Sequence, residues 1–180
     1  MNNTITNPQG IDFTIQRIQE DLYNELILKW VDDIDGYGRI YKNINATNNT
    51  ITPQWYLGNK EYKNVYYRDE FSGSFMFIDS DRHTTKDEVF FETKVKVVFM
   101  LDLNRILPNE TDRADAIAQN DAVEILRNIA FGKFNITGIT KGIKNVFNGF
   151  TTDSIKFTDI QPYHCFSVDI DLTYYLTDKC

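Results

Sequence analysis

Asp33-Ile34-Asp35-Gly36-Tyr37-Gly38-Arg39-Ile40 is the segment whose residue types come closest to a metal loop. Asp33 and Asp35 occupy the first and third positions of an EF-hand pattern, with Gly38 at the sixth and Ile40 at the eighth. Calcium needs a further oxygen at the fifth position and a bidentate Glu at the twelfth. Tyr37 and Ile44 stand there instead. Two carboxylates are too few, so the segment reads as an acidic turn after a helix. Histidine occurs at His83 and His164, and cysteine at Cys165 and Cys180. A zinc centre needs three or four nitrogen or sulfur ligands. His164 and Cys165 are neighbours, and in a strand neighbours point to opposite faces, so they cannot form a nucleophile–base pair. Pairing of His83 with Cys165 is a remote option beside a buried structural cysteine. Asp169 and Asp171 share one strand face and form a possible carboxylate pair. They also stand where an alternating surface strand carries polar residues.

No Walker A, G-x-S-x-G or G-x-G-x-x-G pattern occurs, and Gly36-x-Gly38 lacks both a third glycine and a preceding strand. The sequence therefore supports no catalytic residue, no cofactor and no metal. The expectation is a protein that is not an enzyme.

The elements that would carry these residues begin with a helix over 11–31. Ile11, Ile15, Ile18, Leu22, Leu26 and Trp30 make one apolar stripe. Residues 1–10 read as a flexible N-terminus, and Arg39 to Ile44 as a short strand. Residues 43–60 read as a long polar loop carrying Trp55, Tyr56 and Leu57, which either anchor on the core or meet a neighbouring subunit. Phe71, Gly73, Phe75 and Phe77 alternate with Ser72, Ser74 and Met76. Residues 79–87 read as a charged hairpin tip. A strand over 88–104 puts Phe91, Thr93, Val95, Val97, Phe99, Leu101 and Leu103 on one face. Glu92, Lys94, Lys96, Asp102 and Asn104 fall on a solvated face. Such a strand spans about 55 Å at about 3.3 Å per residue, so its hairpin is expected to project, with residues 76–91 as its distal part. Its exposed edge would be adhesive.

Pro108 stops that strand, and Thr111 or Asp112 caps a helix over 112–131. Its inner face is Ala114, Ala118, Ala122, Ile125, Leu126 and Ile129, with Gln119 on the outer side. Residues 133–162 include one brief helix through Ile143, Val146, Phe147 and Phe150. A last strand over 163–176 alternates Phe166, Val168, Ile170, Leu172 and Tyr174 with Ser167, Asp169, Asp171 and Thr173. The fold class is α+β: one domain over 1–180, a mostly antiparallel sheet with a long projecting hairpin, an N-terminal helix and a second helix.

The bulk numbers bound the partners. The chain has 180 residues, is 42% hydrophobic and carries a net charge of −7. No basic cluster exists to grip phosphates, so tight DNA binding is not expected, although DNA can pass through an acidic hole. No apolar run approaches the about 18 residues of a membrane span, and no secretion signal precedes the first helix, so synthesis in the cytoplasm is expected. The richness in Asn, Lys, Ile, Tyr and Phe fits an AT-rich genome.

Four segments together carry a family likeness: IDFTIQRIQEDLYNELILKW, FFETKVKVVFMLDLN, RADAIAQNDAVEILRNI and DIQPYHCFSVDIDLTYYL. From Ile11 to Leu176 the chain resembles the tail-terminator and neck-ring (head–tail connector) proteins of tailed bacteriophages. The resemblance implies a virion protein, with no catalytic residues to carry over. It would act as a homo-oligomeric ring of about six or twelve copies, contacting portal, neck or tail proteins and conducting DNA passively. An AT-rich phage of the crAss-like kind, and synthesis in the host cytoplasm, go with it. Candidate subunit-interface residues are Trp55, Tyr56, Leu57, Met76, Phe77, Ile78, Val89 and Phe90. The alternative reading is a small-ligand or protein-binding α+β domain with no virion role. A metal- or thiol-dependent enzyme at Asp33/Asp35 or at Cys165 is the remaining one.

Overall fold

The computed structural model describes residues 1–30, 34–66, 72–85, 87–153, 155 and 160–176. Asp33, Phe71 and Cys180, which the sequence reading named, lie outside them. The chain is α+β. Helix α1 (Ile11–Lys29) forms because Ile11, Ile15, Ile18, Leu22 and Leu26 repeat at three- and four-residue steps, and all five are buried. It stops at Trp30, whose backbone turns extended while its N–H still bonds Leu26 O. The Trp30 indole donates to Asp121 at 3.0 Å and meets Phe99 edge-on.

The remaining elements are β1 (Asn2–Asn3), β2 (Asp35–Ile44), β3 (Ile51–Gly58), β4 (Glu61–Asn64), β5 (Gly73–Thr85) and β6 (Phe90–Asp102). There follow α2 (Leu103–Ile106), α3 (Ala114–Ile129), β7 (Phe134–Lys141), α4 (Ile143–Val146) and β8 (Tyr163–Tyr175). The sheet runs β4-β3-β2-β5-β6-β8-β7, with β1 beside β2. Its pairings are antiparallel except β1–β2 and β2–β5. β1 pairs Asn2 with Gly36, so the first residues are held rather than loose.

Several expectations change. The segment 43–60 is not a loop: residues 51–58 form β3, and the two-residue turn Asn59-Lys60, both with positive φ, returns the chain into β4. β6 is no free edge. It pairs with β5 from Thr93 to Leu101 and beyond, and with β8 along its whole length from Phe90–Tyr175 to Asp102–Tyr163. The hairpin therefore does not project alone, because β8 runs beside it to the tip. β6 ends at Asp102, whose carboxylate accepts from Asn104 N and starts α2 before Pro108 is reached. Helix α3 starts at Ala114 with Arg113 at its N-cap and no side-chain cap bond, so neither Thr111 nor Asp112 caps it. Residues 134–141 form a strand that the sequence reading did not separate.

The sheet is buried on both faces. On one, α1 and α3 cover Phe75, Phe77, Val95, Val97, Phe99, Phe166, Val168, Ile170 and Leu172. Ala118 and Ala122 are fully buried there, since only a methyl side chain lets α3 lie this close. On the other, Met76, Val98, Met100 and Cys165 pack under Ile143, Val146 and Phe147, with Tyr37, Ile40, Trp55 and Tyr66 beside them. Lys96 fastens this cover, its ammonium donating to Asn145 O and Val146 O at the end of α4. The face expected to be solvated along all of β6 is thus a second core from Val98 onward.

Candidate functional site

Among the described residues, those singled out for chemistry are kept apart. Asp35 is not in a loop but opens strand β2, and its carboxylate accepts from Tyr37 OH at 3.1 Å. No group of three or more possible metal ligands occurs among the described residues. Cys165 lies in the second core and His164 on the opposite face, stacked on Phe166 and 2.8 Å from Gln119 Nε2. Gln119 is therefore buried, not on the outer side of α3. It is reached through a register in which His164 faces the helix layer. His83 pairs with Thr93 of β6, which in turn faces Leu172 on β8. Cys165 is seven residues further along that strand, about 23 Å away at about 3.3 Å per residue, so the two cannot meet. Asp169 is held by Ser167 and Thr140 hydroxyls, at 2.8 and 2.7 Å, which fixes it structurally while Asp171 faces solvent.

What the fold does assemble is a polar chain across α1, β2, β5 and β8. Arg39 donates through Nε and Nη2 to both Asp12 oxygens, at 2.7 and 3.0 Å, and through Nη1 to Asp79 at 3.3 Å. Burial works against the Arg39 charge, but the bonds and charges of Asp12 and Asp79 outweigh it and hold its pKa above the ordinary value. Asp79 also lies 3.3 Å from His83 Nε2, and His83 Nδ1 lies 2.8 Å from the Tyr174 hydroxyl. Burial, with the Asp79 charge behind it, pushes the Tyr174 phenol up. A carboxylate–imidazole–phenol line has the parts of a proton relay. Here both imidazole nitrogens are engaged and the carboxylate is neutralised by Arg39. The line ties β5 to β2, β8 and α1, and offers no free base.

Beyond His83 the hairpin closes on a built turn. Thr85 Oγ1 accepts from Glu88 N, and Asp87 Oδ1 accepts from Val89 N and Phe90 N at 3.1 and 2.9 Å. Those two amides, Phe90 first, hold the Asp87 carboxyl below its usual range. The turn and the end of β8 beside it present apolar side chains to water: Val89 is 48% exposed, Phe90 41%, Tyr175 47% and Leu176 53%. Phe90 and Tyr175 are cross-strand partners with ring centroids 4.5 Å apart.

Of the eight interface candidates, Val89, Phe90 and Leu57 are exposed, and Tyr56 and Ile78 are half-buried. Trp55, Met76 and Phe77 are corrections: all three are buried in their own chain, because the hairpin base belongs to the two cores. Tyr175 and Leu176 were missed as partners of the tip. Their signal was the register of the last strand, which puts its C-terminal end beside the start of β6. No protein-family model, curated protein or solved structure matches this chain.

Proposed function

We propose that this chain is a non-enzymatic structural subunit that assembles with copies of itself into a ring in the neck or tail of a bacteriophage, as a tail terminator or head–tail connector. The observation that supports it is the apolar tip where Val89 and Phe90, on a turn held by side-chain bonds, meet Tyr175 and Leu176 at the end of β8. Four apolar side chains about half exposed at one end of a folded domain, Phe90 and Tyr175 in ring contact, favour a partner surface there. The sheet edges are poorer candidates. β4 is four residues long and carries Glu61 and Lys63, and β7 has a bulge between Ile136 and Gly138 and ends in Lys141. Such devices blunt edge-to-edge pairing.

A charge of −7 per subunit makes the ring a conduit that DNA passes without sticking. No described helix is long and apolar enough to cross a membrane. Light-scattering mass and negative-stain imaging of the purified chain test the reading. Closed rings of about six or twelve copies are expected, with no mobility-shift complex on DNA at about 50 mM salt. A monomer at every concentration, or a tight salt-sensitive DNA complex, refutes it. The second reading, a ligand- or protein-binding domain with no virion role, draws on the cleft beside Arg39, and a homogeneous monomer favours it.

A further inference from the structure

β2 and β5 run parallel and then part. Their pairing runs Asp35–Ser74, Gly36–Phe75 and Arg39–Phe77 and goes no further among the described residues. β2 continues to Ile44 on its β3 side, and β5 to Thr85 on its β6 side with a register shift between Asp79 and His83. Between the two strands lies a cleft of about 290 Å³ lined by Arg39 to Lys42, Ile78, Asp79, Asp81, His83 and Phe150. Side chains rather than main chain cross it: Arg39 reaches Asp79 at 3.3 Å and Lys42 reaches Asp81 at 2.9 Å.

We propose that this fork accepts an extended segment of a partner protein, which adds a short strand between β2 and β5. Among the described residues neither strand has a ladder partner in the fork beyond Arg39–Phe77, and another main chain pairs with both edges at once. A cleft of about 290 Å³ has room for more than a lone ion. The two walls specify the segment's pattern. Arg39, Asp79 and His83 line the side toward the helices, while Ile40, Ile78 and Phe150 line the side toward the second core. Successive residues of a strand alternate faces, so the occupant alternates polar and apolar side chains. Backbone pairing supplies affinity, and the ion pairs at the mouth open to admit it. This holds whether or not the chain is a ring subunit, and it calls on residues distinct from the apolar tip.

Amide hydrogen exchange on the full chain tests it, alone and with the blocked peptide acetyl-Lys-Val-Thr-Val-Thr-Val-Lys-amide. In the free protein, the fork-facing amides of 40–44 and 78–79 exchange faster than those of Val97 and Phe99, which are paired on both sides. With the peptide at about ten times its Kd, exchange at these positions slows about tenfold. The same peptide N-methylated at alternate residues leaves them unchanged, and Phe150→Ser weakens the unmodified peptide. Fork amides as slow in the free protein as those of Val97 overturn the proposal. So does a peptide that gives no protection, or an N-methylated peptide that protects equally. Loss of ring assembly with peptide protection intact refutes the ring reading alone.

Discussion

Replacing Phe90 and Tyr175 together by Thr separates what the tip does for folding from what it does for assembly. Threonine keeps strand propensity, so the backbone of β6 and β8 is undisturbed. The two rings are 41% and 47% exposed, so somewhat more than half of each is already buried within the chain. Full burial of a large apolar side chain is worth about 1.5–3 kcal/mol. The exposed remainder, a little under half, is then worth about 0.7–1.5 kcal/mol per ring when a neighbour covers it. Two rings lose about 1.5–3 kcal/mol per contact, a roughly 10- to 150-fold weaker association. The cost to folding is of similar size, about 2 kcal/mol from partial burial and the lost ring pair. Denaturant unfolding of the variant reads the second quantity, and sedimentation velocity over a concentration series reads the first. The expected result is a folded chain whose assembly midpoint moves to higher concentration by one to two decades. A folded variant assembling at the wild-type midpoint would show that the tip is not the contact.

Gln119→Leu removes the amide that meets His164 and costs about 1–3 kcal/mol in chemical denaturation; a neutral result would put position 119 in solvent. Ala118→Leu costs about 1–3 kcal/mol by overpacking the fully buried contact of α3 with the sheet, read as a lower melting temperature with unchanged far-ultraviolet dichroism. Arg39→Met leaves Asp12 and Asp79, 20% and 16% exposed, without their cation. The loss is about 2 kcal/mol once their residual solvation is allowed for, read by chemical denaturation. Asp115 is held down to about 2 from 3.8 by the Arg113 guanidinium. A lowered carboxylate stabilises the fold above its unfolded value and loses that support as pH falls from about 4 toward 2. Arg113 is largely exposed, so solvent screens the pair, and Asp115→Asn should flatten the stability curve slightly and only in that acid window.

The helices and the inner faces of β6 and β8 were legible because one side chain in two, or one in three or four, had nowhere to go but a core. Ile15, Ile18, Leu22, Val95, Phe99, Phe166 and Ile170 all lie where their periods put them. The second core was missed although Val97-Val98-Phe99-Met100-Leu101 states it: an unbroken apolar run is a strand buried on both faces. The charged alternation at Glu92, Lys94 and Lys96 was carried too far along β6. Strands β3 and β4 were hidden by Pro53 and by the Asn-rich approach, which argue for a loop locally. Tertiary pairing of Ile40 with Trp55 and Trp55 with Lys63 overrides that preference. The polar chain from Asp12 to Tyr174 was beyond periodicity altogether. It joins residues far apart in sequence through sheet order, and only the order of strands brings them together.

That order also gives the molecule two unlike ends. At one, Asp102 N bonds Ser72 O, Leu103 N bonds Pro162 O, and Trp30 is locked to Asp121, so backbone and side-chain groups are mutually satisfied. At the other, β2 finishes in Ile44, 66% exposed, while β5 finishes in Thr85 beside the apolar turn. Because β2 and β5 are parallel, the fork between them opens toward this same end. Unpaired backbone and unburied apolar surface therefore fall together at one pole, where water pairs with the first and is repelled by the second. A partner arriving there satisfies both kinds of surface in one approach. It meets walls held by the Arg39–Asp12 and His83–Tyr174 bonds, which remain when the Arg39–Asp79 pair opens and so lower the ordering cost of binding.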